Sequence, residues 1–179
     1  ERDAAEWVHP TAIHRRETVP ELWRAYERVA PTVRSVAADA DHGSAYVSVR
    51  ALEVLRDRAG LLVSEGEEGW DELADLAGRL RTARPGMSAL ANRIDRAMAG
   101  ATERTAPAVE ESAIAAIDGA IEADEEAAAN AAKRVSGEVV LTLSRSGTVL
   151  AALRRGDPEH VFVAESRPGA EGVGVAESL

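Results

Sequence analysis

Two short strings hold the residues best suited to chemistry. The first is Thr142-Leu143-Ser144-Arg145-Ser146-Gly147-Thr148. It follows an apolar, β-branched run and opens a helical pattern, so it forms the turn between a strand and a helix. There the first backbone N–H groups have no intrahelical acceptor, and the helix dipole adds partial positive charge. Phosphate is a natural ligand of such a turn. Gly147 allows close backbone approach, the hydroxyls of Ser144 and Ser146 add donors, and Arg145 adds a full charge. The same residues also suit an ordinary strand-to-helix turn with a Ser or Thr cap. The spacing is neither the dinucleotide-binding glycine fingerprint nor a Walker loop.

The second string is Glu165-Ser166-Arg167-Pro168, after the next apolar run. Arg167 can grip a phosphate or carboxylate through two N–H bonds. Glu165 can bond a sugar hydroxyl, or simply pair with Arg167. In a parallel sheet both strings lie on one edge, where open α/β sheets bind ligands. His9, His14, His42 and His160 show no metal-ligand spacing and are expected at the surface or in loops. No Ser/His/Asp arrangement emerges. Neither a catalytic residue, a metal nor a cofactor is therefore predicted. Trp7, Trp23 and Trp70 fit a core or interface better than nucleic-acid stacking.

The elements that position these strings are legible from hydrophobic spacing. Trp7, Pro10, Ile13 and Pro20 punctuate irregular structure; a helix then starts near Pro20, with Thr18 as its cap, and a short one covers 31–39. A stronger helix opens at Gly43-Ser44 with Val47, Ala51, Val54 and Leu55 in phase, and Gly60 is read as its end. Residues 64–69 form a turn, and helices follow at about 70–83, 87–100 and 107–135. The last uses Val109, Ala113, Ile117, Ala120 and Ile121 as its apolar face, and its many acids, Glu110 among them, read as a solvated face. Past Gly137 come two buried-type strands, Val139 to Leu143 and His160 to Ala164, separated by a helix from Thr148 to Arg155 and followed by another near Glu171. Strand, helix, strand, helix argues a parallel sheet. Two strands do not complete a doubly wound sheet, so the sheet is expected to continue beyond Leu179. The chain opens at Glu1 without Met, and both ends are read as cut.

Composition narrows the function class. The formal net charge is -10, and Lys133 is the only lysine among 21 basic residues. This balance fits either a GC-rich genome or a high-salt cytoplasm, in which an acidic surface preserves solubility; the halophilic reading is preferred. Direct nucleic-acid binding is not expected, because it needs basic groups to neutralise phosphate. No apolar run reaches membrane-spanning length and no leader is apparent. The absence of cysteine removes disulfides, thiolate metal sites and a Cys nucleophile, and fits a cytoplasmic location.

The order of these parts resembles a known family. Arg84-Pro85, Leu90-Ala91-Asn92, a long helix, Val139 through Val149, and Val161-Phe162-Val163-Ala164-Glu165-Ser166-Arg167-Pro168-Gly169-Ala170-Glu171-Gly172 together look like the alpha, beta and delta subunits of translation initiation factor 2B and their archaeal relatives. The resemblance covers about 42–179. It implies an α/β chain: an N-terminal helical bundle over 31–136, then the start of a Rossmann-like parallel sheet over 137–179, incomplete at the C-terminus. The family also holds isomerases of methylthioribose 1-phosphate and ribose 1,5-bisphosphate. Their Cys after the first strand matches Ser144 here, their Arg-Gly near the start of the helical domain matches His42-Gly43, and their Asp would lie past Leu179. These departures count against isomerisation. The resemblance thus implies a regulatory or binding module for a nucleotide or sugar phosphate, with Arg167 as phosphate contact beside Ser144, Arg145 and Ser146, and a homo-oligomer, a dimer through the Rossmann-like half. The competing expectation is an enzyme fragment, either the isomerase type or the rear of a Nudix hydrolase. The second arises because Glu6-Trp7-Val8-His9-Pro10, Ile13 and residues 18–22 resemble the close of a Nudix domain, as in haloarchaeal Nudix–initiation factor 2B fusions. On that reading residues 1–30 are a tail and linker, and the metal-binding Nudix box is absent.

Overall fold

The computed structural model describes residues 6–179, so the first five residues of the expected Nudix-like tail lie outside the described part. The chain is mostly helical, with one two-stranded parallel sheet. A 3-10 turn (Pro10–Arg15) and two short helices, α1 (Leu22–Glu27) and α2 (Val33–Ala38), lead into four longer ones: α3 (Ser44–Glu65), α4 (Trp70–Ala83), α5 (Ser88–Gly100) and α6 (Ala106–Val135). Then follow β1 (Val139–Leu143), α7 (Gly147–Gly156), β2 (His160–Ala164) and α8 (Glu171–Ser178).

One apolar core unites α3 to α6. Leu52, Leu55, Ala59 and Leu62 of α3, Leu73, Ala77 and Leu80 of α4, Leu90, Ile94 and Ala97 of α5, and Val109, Ala113 and Ile117 of α6 are buried there, spaced three or four residues apart along each helix. Local chemistry sets several ends. Thr32 and Ser35 form a reciprocal capping box at the start of α2. Gly66, in the left-handed region, closes α3, and the N–H of Glu67 reaches back to the Leu62 carbonyl. Pro107 lies in the first turn of α6, where its missing N–H costs nothing.

The strands run parallel in the register Val139 to His160 through Leu143 to Ala164. Val140, Thr142, Val161 and Val163 are half-buried on one face. Val139, Leu141, Leu143 and Phe162 stand on the other, 59–76% exposed. The expectation of fully buried strands thus needs correcting: both faces are apolar, but within this chain only one is covered. α6 meanwhile carries Ala128 and Ala132 toward α7, where Gly156 packs against the Ala132 carbonyl.

Further sequence readings are corrected. Gly60 does not end α3; it is buried in mid-helix, where a Cβ would lie 2.7 Å from Cβ of Thr11. The segment around Pro10 is an ordered 3-10 turn with Thr11 buried against α3. Thr18 caps nothing, since Glu21 takes the N-cap position of α1. Ile121 is 46% exposed, whereas Glu110 from the acidic row is buried and paired with Arg15. His14 is not a free surface side chain: it is half-buried, packs tilted against Trp23 with ring centroids 4.0 Å apart and planes 50° from parallel, and has a buried Nε2. Trp7 is fully exposed.

Candidate functional site

The first chemical string lines a cleft of about 760 Å³ between the start of α3 and the start of α7. Its position follows from topology. β1 delivers residues 144–146 to its carboxyl end, and α7 begins there, with the Ser146 hydroxyl accepting from the Val149 N–H at 3.3 Å. Opposite, α3 begins at Gly43 with no side chain capping it. Two helix N-termini therefore face one space, a concentration of partial positive charge. Gly43 allows a close approach: a Cβ there would crowd the Arg145 carbonyl at 3.1 Å.

Three guanidinium groups line the same cleft: Arg84, Arg93 and Arg145. Each is anchored. Arg84 donates to the Asp39 carbonyl at the end of α2. Arg93 donates to Ser48 Oγ at 2.8 Å and the Ala45 carbonyl at 3.1 Å, and its other nitrogen pairs with Asp124 at 2.9 Å. Arg145 reaches across to the Asp41 carbonyl at 2.6 Å and so ties the β1–α7 loop to the loop before α3. An arginine keeps further donors after one or two such bonds, so anchoring fixes the fork without exhausting it. Asp41, Asp124 and Glu171 also line the cleft, and Arg93 neutralises Asp124.

The loop before α3 is itself braced. The Asp39 carboxylate accepts from the backbone N–H of Asp41 at 3.0 Å and of His42 at 2.9 Å, and lies 2.9 Å from His42 Nδ1. Burial works to raise the Asp39 carboxyl, but these hydrogen bonds outweigh it and hold the group below the usual carboxylate range. The His42 ring then stacks on Tyr46, with centroids 4.1 Å apart and planes 25° from parallel.

The second string shares the sheet edge but not the cleft lining. Ser166 joins the two loops: its hydroxyl accepts from the Ser144 N–H at 2.7 Å and donates to the Ala164 carbonyl at 3.2 Å. Ser144 and Ser166 both have positive φ, 64° and 63°. Such backbone is uncommon outside glycine and clusters at functional sites. Glu165 and Arg167 pair with each other at 3.1 Å, and the Arg167 side chain is 81% exposed. Of the six residues singled out from the sequence, Ser144, Arg145, Ser146 and Gly147 line the cleft; Glu165 and Arg167 do not. Sequence reasoning missed Arg93, Asp124 and Tyr46, which come from helices far apart in the chain. Nothing local marks them: Asp124, for one, sits among Glu122, Glu125 and Glu126 in the acidic row of α6. Among the described residues, no three His, Asp or Glu side chains are grouped to hold a metal ion.

A helical layer joined to a parallel strand–helix unit, with a cleft lined by three arginines and three acids at their junction, defines the class, and comparison with known proteins specifies it. The sequence profile of the initiation factor 2 subunit family matches residues 40–179, and the chain belongs to that family. The fold is similar to a crystal structure of the translation initiation factor eIF-2B of Pyrococcus horikoshii OT3, at 22% identity and a TM-score of 0.70. That match covers 90% of this chain, which spans 56% of the other. No curated protein matches significantly. No helix among the described residues is long and apolar enough to cross a membrane.

Proposed function

We propose that this chain is a non-catalytic, initiation factor 2B-like regulatory module whose cleft takes the phosphate of a nucleotide or sugar phosphate. One observation carries the reading: the uncapped start of α3, the start of α7 and the anchored Arg84, Arg93 and Arg145 all face one cleft of about 760 Å³. That volume suits a small phosphorylated ligand. Ser144, Arg145, Ser146 and Gly147 form one wall of this site, and Glu165 with Arg167 is its outer neighbour on the sheet edge. Ser144 stands where the isomerases of the family carry Cys, and a hydroxyl without a neighbouring base is a poor nucleophile at neutral pH.

The parallel β1–α7–β2–α8 order supports reading residues 137–179 as the start of a Rossmann-like domain, with 31–136 a helical domain and 1–30 the close of a Nudix-like domain plus linker. The uncovered face of β1 and β2 supports homo-dimerisation through this half, and the acidic balance supports a salt-rich cytoplasm.

The test is calorimetric titration of the full-length protein with ribose 5-phosphate. Binding is expected, weakened in Arg145→Ala by about 10- to 100-fold, the loss of one charge-assisted hydrogen bond. No heat of binding at millimolar ligand overturns the reading. Turnover of ribose 1,5-bisphosphate overturns its non-catalytic part and favours the isomerase alternative.

A further inference from the structure

The formal charges that line the cleft cancel while His42 is neutral. Arg84 follows α4, Arg93 lies on α5 and Arg145 precedes α7; facing them are Asp41 beside His42, Asp124 on α6 and Glu171 at the start of α8. Against so balanced a background, one added charge weighs heavily on an anion. His42 lines the same cleft, and imidazole is the side chain whose ordinary titration falls between pH 5 and 8. The geometry fixes where its proton goes. The Asp39 carboxylate oxygens lie 2.9 and 3.1 Å from His42 Nδ1. Burial opposes charge on Asp39, but the hydrogen bonds from His42 and Asp41 outweigh it and keep the group ionised. An ionised carboxylate only accepts, so neutral His42 carries its hydrogen on Nδ1 and takes a second proton at Nε2. Among the described residues Nε2 meets no hydrogen-bonding partner, and the His42 side chain is 48% exposed. Stacking on Tyr46, with centroids 4.1 Å apart, holds the ring in place.

We infer that His42 is a proton-operated switch of anion affinity in this cleft: a proton at Nε2 tightens the hold on a bound phosphate, and the phosphate in turn draws a proton onto His42. The inference rests on the phosphate reading of the cleft and adds its regulation. Without that proton, Asp39 against the ring adds a fourth negative charge to the three of the lining. With it, the imidazolium offsets Asp39 and gives the cleft wall a charged donor. The other charged groups around the ring are carboxylates and guanidinium groups, and the ring stacked on it is a phenol. The ordinary titrations of all three types lie outside this pH range, so His42 is the group suited to the switch.

Ribose 5-phosphate is titrated calorimetrically into the full-length protein and into His42→Asn and His42→Arg variants at about pH 5.5 and about pH 8. A phosphate monoester itself titrates near about pH 6, so the proteins are compared at the same pH, where the ligand's own protonation cancels. Asn keeps an N–H for Asp39 but never gains charge, whereas Arg is charged throughout. The unmodified protein is expected to match His42→Asn at the higher pH and to bind about 3- to 10-fold more tightly at the lower, the worth of one half-exposed charged contact. His42→Arg is expected to hold that advantage over His42→Asn at both pH values. By reciprocity, saturating ligand should move the His42 ring titration, followed by NMR, upward by about half to one pH unit. A ratio of affinities between the unmodified protein and His42→Asn that is the same at both pH values overturns the inference and leaves the phosphate site standing, because His42 is then inert or only structural. Absence of binding to the unmodified protein at either pH removes the phosphate site and the switch together.

Discussion

Three glycines in the middle of helices offer a sharp test of how the N-terminal segment is held. Gly60 in α3, Gly78 in α4 and Gly119 in α6 each forgo the helix propensity an alanine would bring. At Gly78 and Gly119 a Cβ would meet nothing within 4 Å, and both positions are exposed. Alanine at either is expected to stabilise by about 0.5–1 kcal/mol. At Gly60 the same methyl would collide with the Thr11 side chain, with its Cβ at 2.7 Å, and would crowd Glu110 Oε1 at 3.1 Å. Thr11 is 1% exposed and Glu110 4%, so neither can swing into solvent without undocking the 3-10 turn. Overpacking of this kind costs about 1–3 kcal/mol. The gain from helix propensity is common to all three, so Gly60→Ala should lie about 1–3 kcal/mol below Gly78→Ala. Urea unfolding gives the difference from midpoints at constant slope. Limited proteolysis should cut Gly60→Ala near residues 10–15 faster than the other two. A stabilised Gly60→Ala with unchanged proteolysis would refute the claim that Thr11 is locked onto α3.

Other predictions concern the same seam and the sheet. Replacing Arg15 with Met strands the buried Glu110 carboxylate, whose Oε1 already lacks a partner, and should cost about 1–3 kcal/mol; adding Glu110→Leu should recover much of the loss, as read by urea unfolding. Burial holds His14 below its ordinary value and Arg15 adds to this, while Glu110, Asp57 and Glu27 oppose it. The unfolded chain therefore takes up a proton first as pH falls below about 6.5, and stability declines from there down through the folded value. A His14→Gln variant should flatten that slope in thermal melts at pH 5 to 7, and an unchanged slope would clear His14 of the effect. Leu141→Glu places a charge on the uncovered sheet face, where the native side chain is 76% exposed. If the proposed dimer forms through this face, the variant should run as a monomer of the full-length protein by light scattering without loss of helicity, and an unchanged dimer refutes that placement of the interface.

Helices α4, α5 and α6 were legible because their apolar residues repeat at helical spacing and their ends carry turn residues. The misreadings share a cause: local signals do not encode what arrives from elsewhere in the chain. Gly60 has the look of a helix terminator, yet its missing Cβ answers to Thr11, 49 residues earlier. Glu110 sits in an acidic row whose other members, Asp124 apart, face water, and nothing local announces that Arg15 will meet it in the interior. The β1–α7 loop was found because strand-to-helix turns have a sequence signature. The opposite wall was only half visible: Gly43 opens a helix plainly, but nothing local says that Arg93 from α5 will bond Ser48 in α3 and Asp124 in α6 beneath it.

The length of α6 has a consequence for how the molecule comes apart. Its 30 residues span about 45 Å. Val109, Ala113 and Ile117 in its first half complete the core of α3 to α5, while Ala128 and Ala132 in its second half seat α7. A helix shared in this way ties the fates of its two ends, because fraying at either one exposes apolar surface belonging to a different half. Amide protons near the middle of α6 should exchange only through opening of the whole chain, and the strand–helix unit should lose its protection together with the helices rather than before them.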